Sequence, residues 1–220
     1  MTIHLARDME ALHHDLLHVC QLVEEMIHCA VDLLDEPNVE RARELANRDD
    51  VIDEWDVRLE EECLKILALH QPVAIDLRRI TTVLKVTAEL ERIADLAVNI
   101  AERAAGLLDG PRIEVPPKLD EMAKIAVEMM HDAIASYVAM DAALARDVIL
   151  RDDQVDVLNR EIIDELRAMM KRTPELIDPA LHLFSAGRHV ERVADHATNI
   201  AEDVIYLVKG EIVRHQPTVR

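Results

Sequence analysis

The chain has 220 residues, half of them hydrophobic, and carries 25 Lys and Arg against 44 Asp and Glu, a net charge of −19. That length and apolar content bury a real core and exclude a disordered chain, while the negative charge repels nucleic-acid phosphates and anionic lipid head groups, so neither direct nucleic-acid binding nor membrane insertion is expected. Aromatic residues number four, Trp55, Tyr137, Phe184 and Tyr206, and a chain so poor in aromatics and rich in Ala, Leu, Glu and Arg is expected to be all-α.

In chain order, the opening MTIHLARDME has no apolar stretch of the signal-peptide kind. No later run approaches the ~18 apolar residues of a membrane span. A soluble, cytoplasmic protein is therefore expected. Pro37-Asn38 breaks a first helix from a second, with Asn38 as N-cap. Pro72 starts a third, which Gly106 and the Asp109-Gly110-Pro111 turn end. Pro116-Pro117 opens a fourth, and a turn within Met140 to Ala145 leads to a fifth. Thr173-Pro174-Glu175 supplies an N-cap, a first-turn proline and an early acid to a sixth, which ends near Gly210. The helices are expected to run about 30 residues, roughly 45 Å, and their short connections make consecutive helices antiparallel neighbours.

The chain is one unit written twice. Glu91-Arg-Ile-Ala-Asp95-Leu-Ala-Val-Asn99-Ile-Ala-Glu102 recurs as Glu191-Arg-Val-Ala-Asp195-His-Ala-Thr-Asn199-Ile-Ala-Glu202, 100 residues on. Arg48-Asp49-Asp50-Val-Ile-Asp53 recurs as Arg151-Asp152-Asp153-Gln-Val-Asp156, and Glu25-Met-Ile-His28 as Glu128-Met-Met-His131, both 103 residues on. The drop in offset fits a loop three residues shorter in the second half, with helix lengths preserved. Self-similarity at this period reads as repeated structure: two tandem, similar three-helix bundles, residues 1–109 and 116–215, joined near 109–116.

On a wheel of about 100° per residue, Glu91, Asp95, Asn99 and Glu102 share one wedge of the third helix, opposite Ile93, Ala97, Ile100 and Ala104. Glu191, Asp195, Asn199 and Glu202 repeat the wedge on the sixth, with Asp203 at its margin, opposite Val193, Ala197, Ile200 and Val204. On the second helix Asp49, Asp53 and Asp56 share a face; their mates on the fifth are Asp152, Asp156 and Asn159. A solvated helix face usually pairs Glu with Lys at i+4. These faces stack carboxylate on carboxylate, an arrangement that a bound cation offsets. Their hard oxygen donors suit magnesium, calcium or manganese, with iron or zinc next.

Other chemistry-bearing residues read as structural. Cys20, Cys29 and Cys63 lie among apolar residues without a CxxC pair and are expected to be small buried hydrophobes. His196 falls off the wedge and is expected to make an interhelix contact. The Glu25–His28 and Glu128–His131 pairs have the i, i+3 spacing of di-iron bundles. They support an alternative, a carboxylate-bridged di-metal oxidase or storage bundle of the ferritin-like class, although such sites draw ligands from four helices. Ser136 and Ser185 lack an evident catalytic partner, and no enzyme activity is expected. Without a glycine-rich loop or an Arg cluster at a helix N-terminus, no phosphate site is expected either.

The repeated blocks resemble the PhoU family of phosphate-specific transport accessory proteins over nearly the whole chain. The resemblance is carried by Glu91 to Asp95 and Glu191 to Asp195, each continuing into Asn-Ile-Ala-Glu, by Pro72-Val-Ala-Ile-Asp-Leu-Arg78, and by Gly210-Glu-Ile-Val-Arg-His215. It implies two similar three-helix bundles and metal sites of iron, zinc, manganese or magnesium. The implied ligands are Glu91, Asp95, Glu191 and Asp195, joined by Asp49, Asp53, Asp152 and Asp156, with Asn99 and Asn199 as further ligands. It also implies a homodimeric negative regulator of the phosphate starvation response and of phosphate uptake. Such a regulator couples a Pst-type phosphate transporter, through its ATPase PstB, to the PAS region of the sensor kinase PhoR.

Overall fold

The computed structural model describes residues 3–213. Six helices, α1 (Ile3–Asp35), α2 (Val39–His70), α3 (Ala74–Gly106), α4 (Pro117–Ala139), α5 (Ala142–Arg172) and α6 (Ile177–Lys209), are accompanied by 3-10 turns at Leu107–Asp109 and Pro174–Leu176, and no strand occurs among the described residues. The end of the second repeat at residue 215, and the close of the Gly210-to-His215 motif, lie outside them.

Several boundaries follow from local chemistry. Asn38 Oδ1 accepts the Arg41 backbone N–H at 3.0 Å and caps α2. Asp141 Oδ1 accepts from Ala143 and Leu144 at 2.8 and 3.2 Å and caps α5. Just before it, Met140 ends α4 with a left-handed backbone, φ 53°. Pro117 opens α4 and Gly210, φ 75°, stops α6.

Three expectations need correction. Pro72 does not start α3, which opens at Ala74 behind an extended Val73. Thr173 makes no side-chain cap, because Pro174 begins a 3-10 turn and α6 proper starts at Ile177. α4 has 23 residues rather than about 30, since 110–116 are spent crossing from one half to the other. The three-residue shift between repeats arises where α5, one residue shorter than α2 (31 against 32), passes after Thr173 straight into the 3-10 turn at Pro174–Leu176 that leads into α6, whereas three non-helical residues, Gln71–Val73, separate α2 from α3.

The two three-helix units share one core. α3 and α6 form its centre, α1 and α4 touch each other and flank that pair, and α2 and α5 lie outermost on their own units. Along the central seam residue 85 meets 203, 89 meets 196 and 106 meets 182, so α3 and α6 are antiparallel. Alanines at 94, 97, 101 and 104 on α3, and at 194, 197 and 201 on α6, are fully buried. The expected core residues Ile93, Ile100, Val193, Ile200 and Val204 are buried too. α3 and α6 are thus buried on two sides, against the outer helices and against each other. Cys20 and Cys63 are buried as expected, but Cys29 is half-exposed, with Arg41 Nη2 3.7 Å from its Sγ.

Candidate functional site

The acidic faces meet in pairs. In the first unit the groove between α2 and α3 brings Asp49, Asp53 and Asp56 of α2 against Glu91 and Asp95 of α3. Burial pushes the Asp49 carboxyl up to about 6, and the charges of Asp95, Asp53 and Asp50 add to the effect. Glu91 is raised by burial and then by Asp95, Asp56 and Asp53, and Asp56 by burial and then by Glu60 and Asp53. The mutual perturbation shows carboxylates close enough to repel within half-desolvated ground.

The second unit repeats the arrangement between α5 and α6. Asp195 is pushed up to about 6 by burial, then by Glu191, Asp152 and Asp156. Asp152 is raised by burial, then by Asp156, Asp153 and Glu191. Glu191 Oε1 accepts from Arg188 Nη1 at 2.9 Å, while its Oε2 is buried without a hydrogen-bond donor. Residue 88, which stands one hundred before Arg188, is alanine, so the second groove holds a guanidinium that the first lacks.

The structure therefore gathers Asp49, Asp53, Glu91 and Asp95 in one groove and Asp152, Asp156, Glu191 and Asp195 in the other. The asparagines are placed less simply. Asn99 Nδ2 donates to its own helix at Asp95 O, 2.7 Å, whereas Asn199 Nδ2 donates to Glu89 Oε2 at 3.1 Å, toward the α3–α6 seam. Asn159, paired with Asp56 by register, is buried. Asp203 does not sit at the wedge margin: it is 1% exposed and faces α3, where Lys85 Nζ meets it at 2.9 Å.

The donor set fits a hard cation. Carboxylates on two facing helices repel, one buried oxygen lacks a donor, and a cation between the helices would satisfy both. Among the described residues no three His, Cys, Asp or Glu side chains are closed up around a single point that would hold an ion. The grooves present neighbouring carboxylates rather than a finished cage.

The Glu-x-x-His pairs lie elsewhere. His131 Nδ1 is 2.9 Å from Glu24 across the α1–α4 contact, not from Glu128, and Glu25 is engaged by Gln21 at 3.1 Å and Arg48 at 3.3 Å. Sequence reasoning missed Glu89, which lies between helices and binds His196 Nδ1 at 2.6 Å. The signal available was Leu96, which stands opposite His196 in the repeat and marks that position as normally apolar.

The comparisons with known proteins agree with this architecture. The PhoU domain matches twice, over residues 16–104 and 119–204. A phosphate-specific transport system accessory protein PhoU homolog of Aquifex aeolicus (strain VF5) is 41% identical over 96% of this chain and 96% of its own length. A homolog of the same description from Deinococcus radiodurans is 36% identical over 94% of this chain and 97% of its own. The crystal structure of PhoU from Pseudomonas aeruginosa superposes with a TM-score of 0.90 at 34% identity, over 94% of this chain and 99% of that one. The structure of the phosphate transport system regulatory protein PhoU from Streptococcus pneumoniae gives 0.88 at 27% identity, over 95% and 99%. With both repeats matched and the fold shared with two solved PhoU structures, the chain belongs to the PhoU family.

Proposed function

We propose that this chain is the cytoplasmic accessory regulator of a phosphate transporter, restraining uptake and the phosphate starvation response when phosphate is ample. In this reading it acts as an adaptor, without catalysis, between a PstB-type transporter ATPase and the PAS region of a PhoR-type sensor kinase. The observation that supports it is full-length likeness to proteins described as phosphate transport accessory and regulatory proteins. No described helix is long and apolar enough to cross a membrane, which suits a partner that meets the transporter at its ATPase.

The grooves supply the control point. A divalent or trivalent cation, whether iron, zinc, manganese or magnesium, would provide charge neutralisation between the two helices of each groove. Asp49, Asp53, Glu91 and Asp95 would hold it in the first, and Asp152, Asp156, Glu191 and Asp195 in the second, with Asn99 and Asn199 as neutral donors. With repulsion removed, α2 would be held to α3 and α5 to α6, fixing the outer surfaces that partners read. The homodimer would be a second means of presenting those surfaces.

Two measurements test the proposal. Elemental analysis of the purified protein beside Asp95→Ala/Asp195→Ala should find metal in the first and its loss in the second. Deleting the gene should switch on a phosphate-starvation reporter in phosphate-rich medium, and only the unaltered chain should restore silence. A reporter that stays silent after deletion would remove the regulatory reading.

A further inference from the structure

One face of α6 continues from apolar to acidic without a break. At about 100° per residue, Ile177, Leu181, Phe184, Arg188, Glu191 and Asp195 fall within one narrow arc, at spacings i, i+4, i+7, i+11, i+14 and i+18. The first three are 41%, 50% and 37% exposed. Single exposed apolar residues are ordinary on any surface. Three in helical register, running into the α5–α6 carboxylate groove, are a patterned surface. The arrangement recurs on α3, where Leu77, 40% exposed, and the half-buried Leu84 precede Glu91 and Asp95 on the same face.

We propose that this face of α6 docks a helical segment of a partner protein whose apolar stripe ends in Lys or Arg. The apolar half would sit on Ile177, Leu181 and Phe184. From Phe184 to Glu191 is seven residues, about 10 Å, so the partner's first basic side chain lies about two turns from its last apolar anchor. The basic half is specified by the groove, where Asp195 and Asp156 are exposed beside Asp152, while Arg188 already serves Glu191 Oε1. A second copy of this chain is a poor occupant, because it would bring a net −19 surface to an acidic groove. Helix-in-groove recognition reads i, i+4, i+7 anchors, and the charged half sets orientation and encounter rate.

The proposal rests on the regulatory reading only in assuming that a partner exists, and its test is separate from metal binding. The probe is a synthetic amphipathic peptide with Leu at i, i+4 and i+7 and Lys at i+11 and i+14, labelled for fluorescence anisotropy. A control peptide carries Glu in place of Lys. With chelator present, the Lys peptide should bind and the Glu peptide should not. Leu181→Glu/Phe184→Glu should weaken binding at least ten-fold with helicity and metal content unchanged, because neither side chain is a groove carboxylate. Glu191→Gln/Asp195→Asn should weaken it similarly and flatten its salt dependence. Equal binding of the two peptides, or binding indifferent to both double variants, overturns the proposal. So does a concentration-dependent dimer that Leu181→Glu/Phe184→Glu abolishes in sedimentation while peptide binding is absent. Loss of metal in Asp95→Ala/Asp195→Ala with peptide docking at α6 intact in Leu181→Glu/Phe184→Glu would likewise refute it and leave the metal reading standing.

Discussion

Glu89 of α3 and His196 of α6 meet at 2.6 Å across the seam that joins the two halves, and Asn199 donates to the same carboxylate oxygen at 3.1 Å. Burial raises the Glu89 carboxyl, but the hydrogen bonds from His196 and Asn199 outweigh it and hold the group below its ordinary value. Glu89→Leu strands two donors in a part-buried seam, which costs about 1–3 kcal/mol. Leu96 occupies the position equivalent to His196, so Glu89→Leu/His196→Leu should recover much of the loss. Urea denaturation of the single and double variants checks this; additive losses would show that the two residues are not coupled. Because the folded carboxyl is depressed, its contribution is present above the unfolded value and fades as pH falls through the folded one.

The grooves titrate in the opposite sense. Asp49 and Asp195 are each raised to about 6 in the folded protein, so folding favours their protonated forms. Their stabilising contribution is complete below the unfolded value near 4 and is lost as pH rises through about 6. Asp49→Asn and Asp195→Asn should raise the metal-free melting temperature near pH 7 and leave it little changed near pH 4. Parallel melting curves across that range would contradict the repulsion read from the structure.

Asp203 is buried and faces Lys85 Nζ at 2.9 Å, with the ammonium also 5.3 Å from the Tyr206 ring centroid. Lys85→Met removes this ion pair from a buried carboxylate and should cost about 1–3 kcal/mol, a fall of about 2–12 °C in melting temperature for a chain of this size. Lys85→Met/Asp203→Leu should be closer to the unaltered protein than Lys85→Met is. Calorimetry distinguishes the two outcomes.

Gly106 is required by an approach rather than by its backbone angle. A Cβ there would lie 2.4 Å from His182 Cε1 and 2.8 Å from both ring nitrogens. Gly106→Ala should therefore destabilise by about 1–3 kcal/mol through overpacking, despite alanine's better helix propensity. In a His182→Ala background the same change should become neutral or stabilising. The sign reversal is the observation to seek by thermal melting.

The repeat made most of the fold legible. Pro37-Asn38, Pro117 and Gly210 punctuate helices through local chemistry that acts regardless of tertiary context, and their positions were readable to within a residue or two. The groove carboxylates were readable because helical period and duplication both mark them. What the sequence did not show was how the halves face each other. The side of α3 that carries Lys85 and Glu89 lies off the core face read from one bundle, yet Leu96 on that side is buried, because α6 packs there. Asp203 was misplaced for the same reason: an angle on one wheel does not say which neighbour lies there. Glu89 was passed over because a glutamate beside two wedge acids looks like one more surface charge, and only the register of α3 against α6 turns it toward His196.

The antiparallel seam has a consequence for how such a chain can arise. In it residue 106 meets 182 and residue 85 meets 203, two contacts that the repeat offset of 100 nearly interchanges, so each half presents to the other nearly the surface it receives. A half-length chain bearing that surface would be complementary to its own copy and would pair about a twofold axis. Joining the copies through residues 110–116 makes the encounter intramolecular and independent of concentration. It also frees the halves to diverge, one keeping Leu96 where the other has His196, and Ala88 where the other has Arg188. A symmetric pair of identical chains would have to carry each such change on both sides at once.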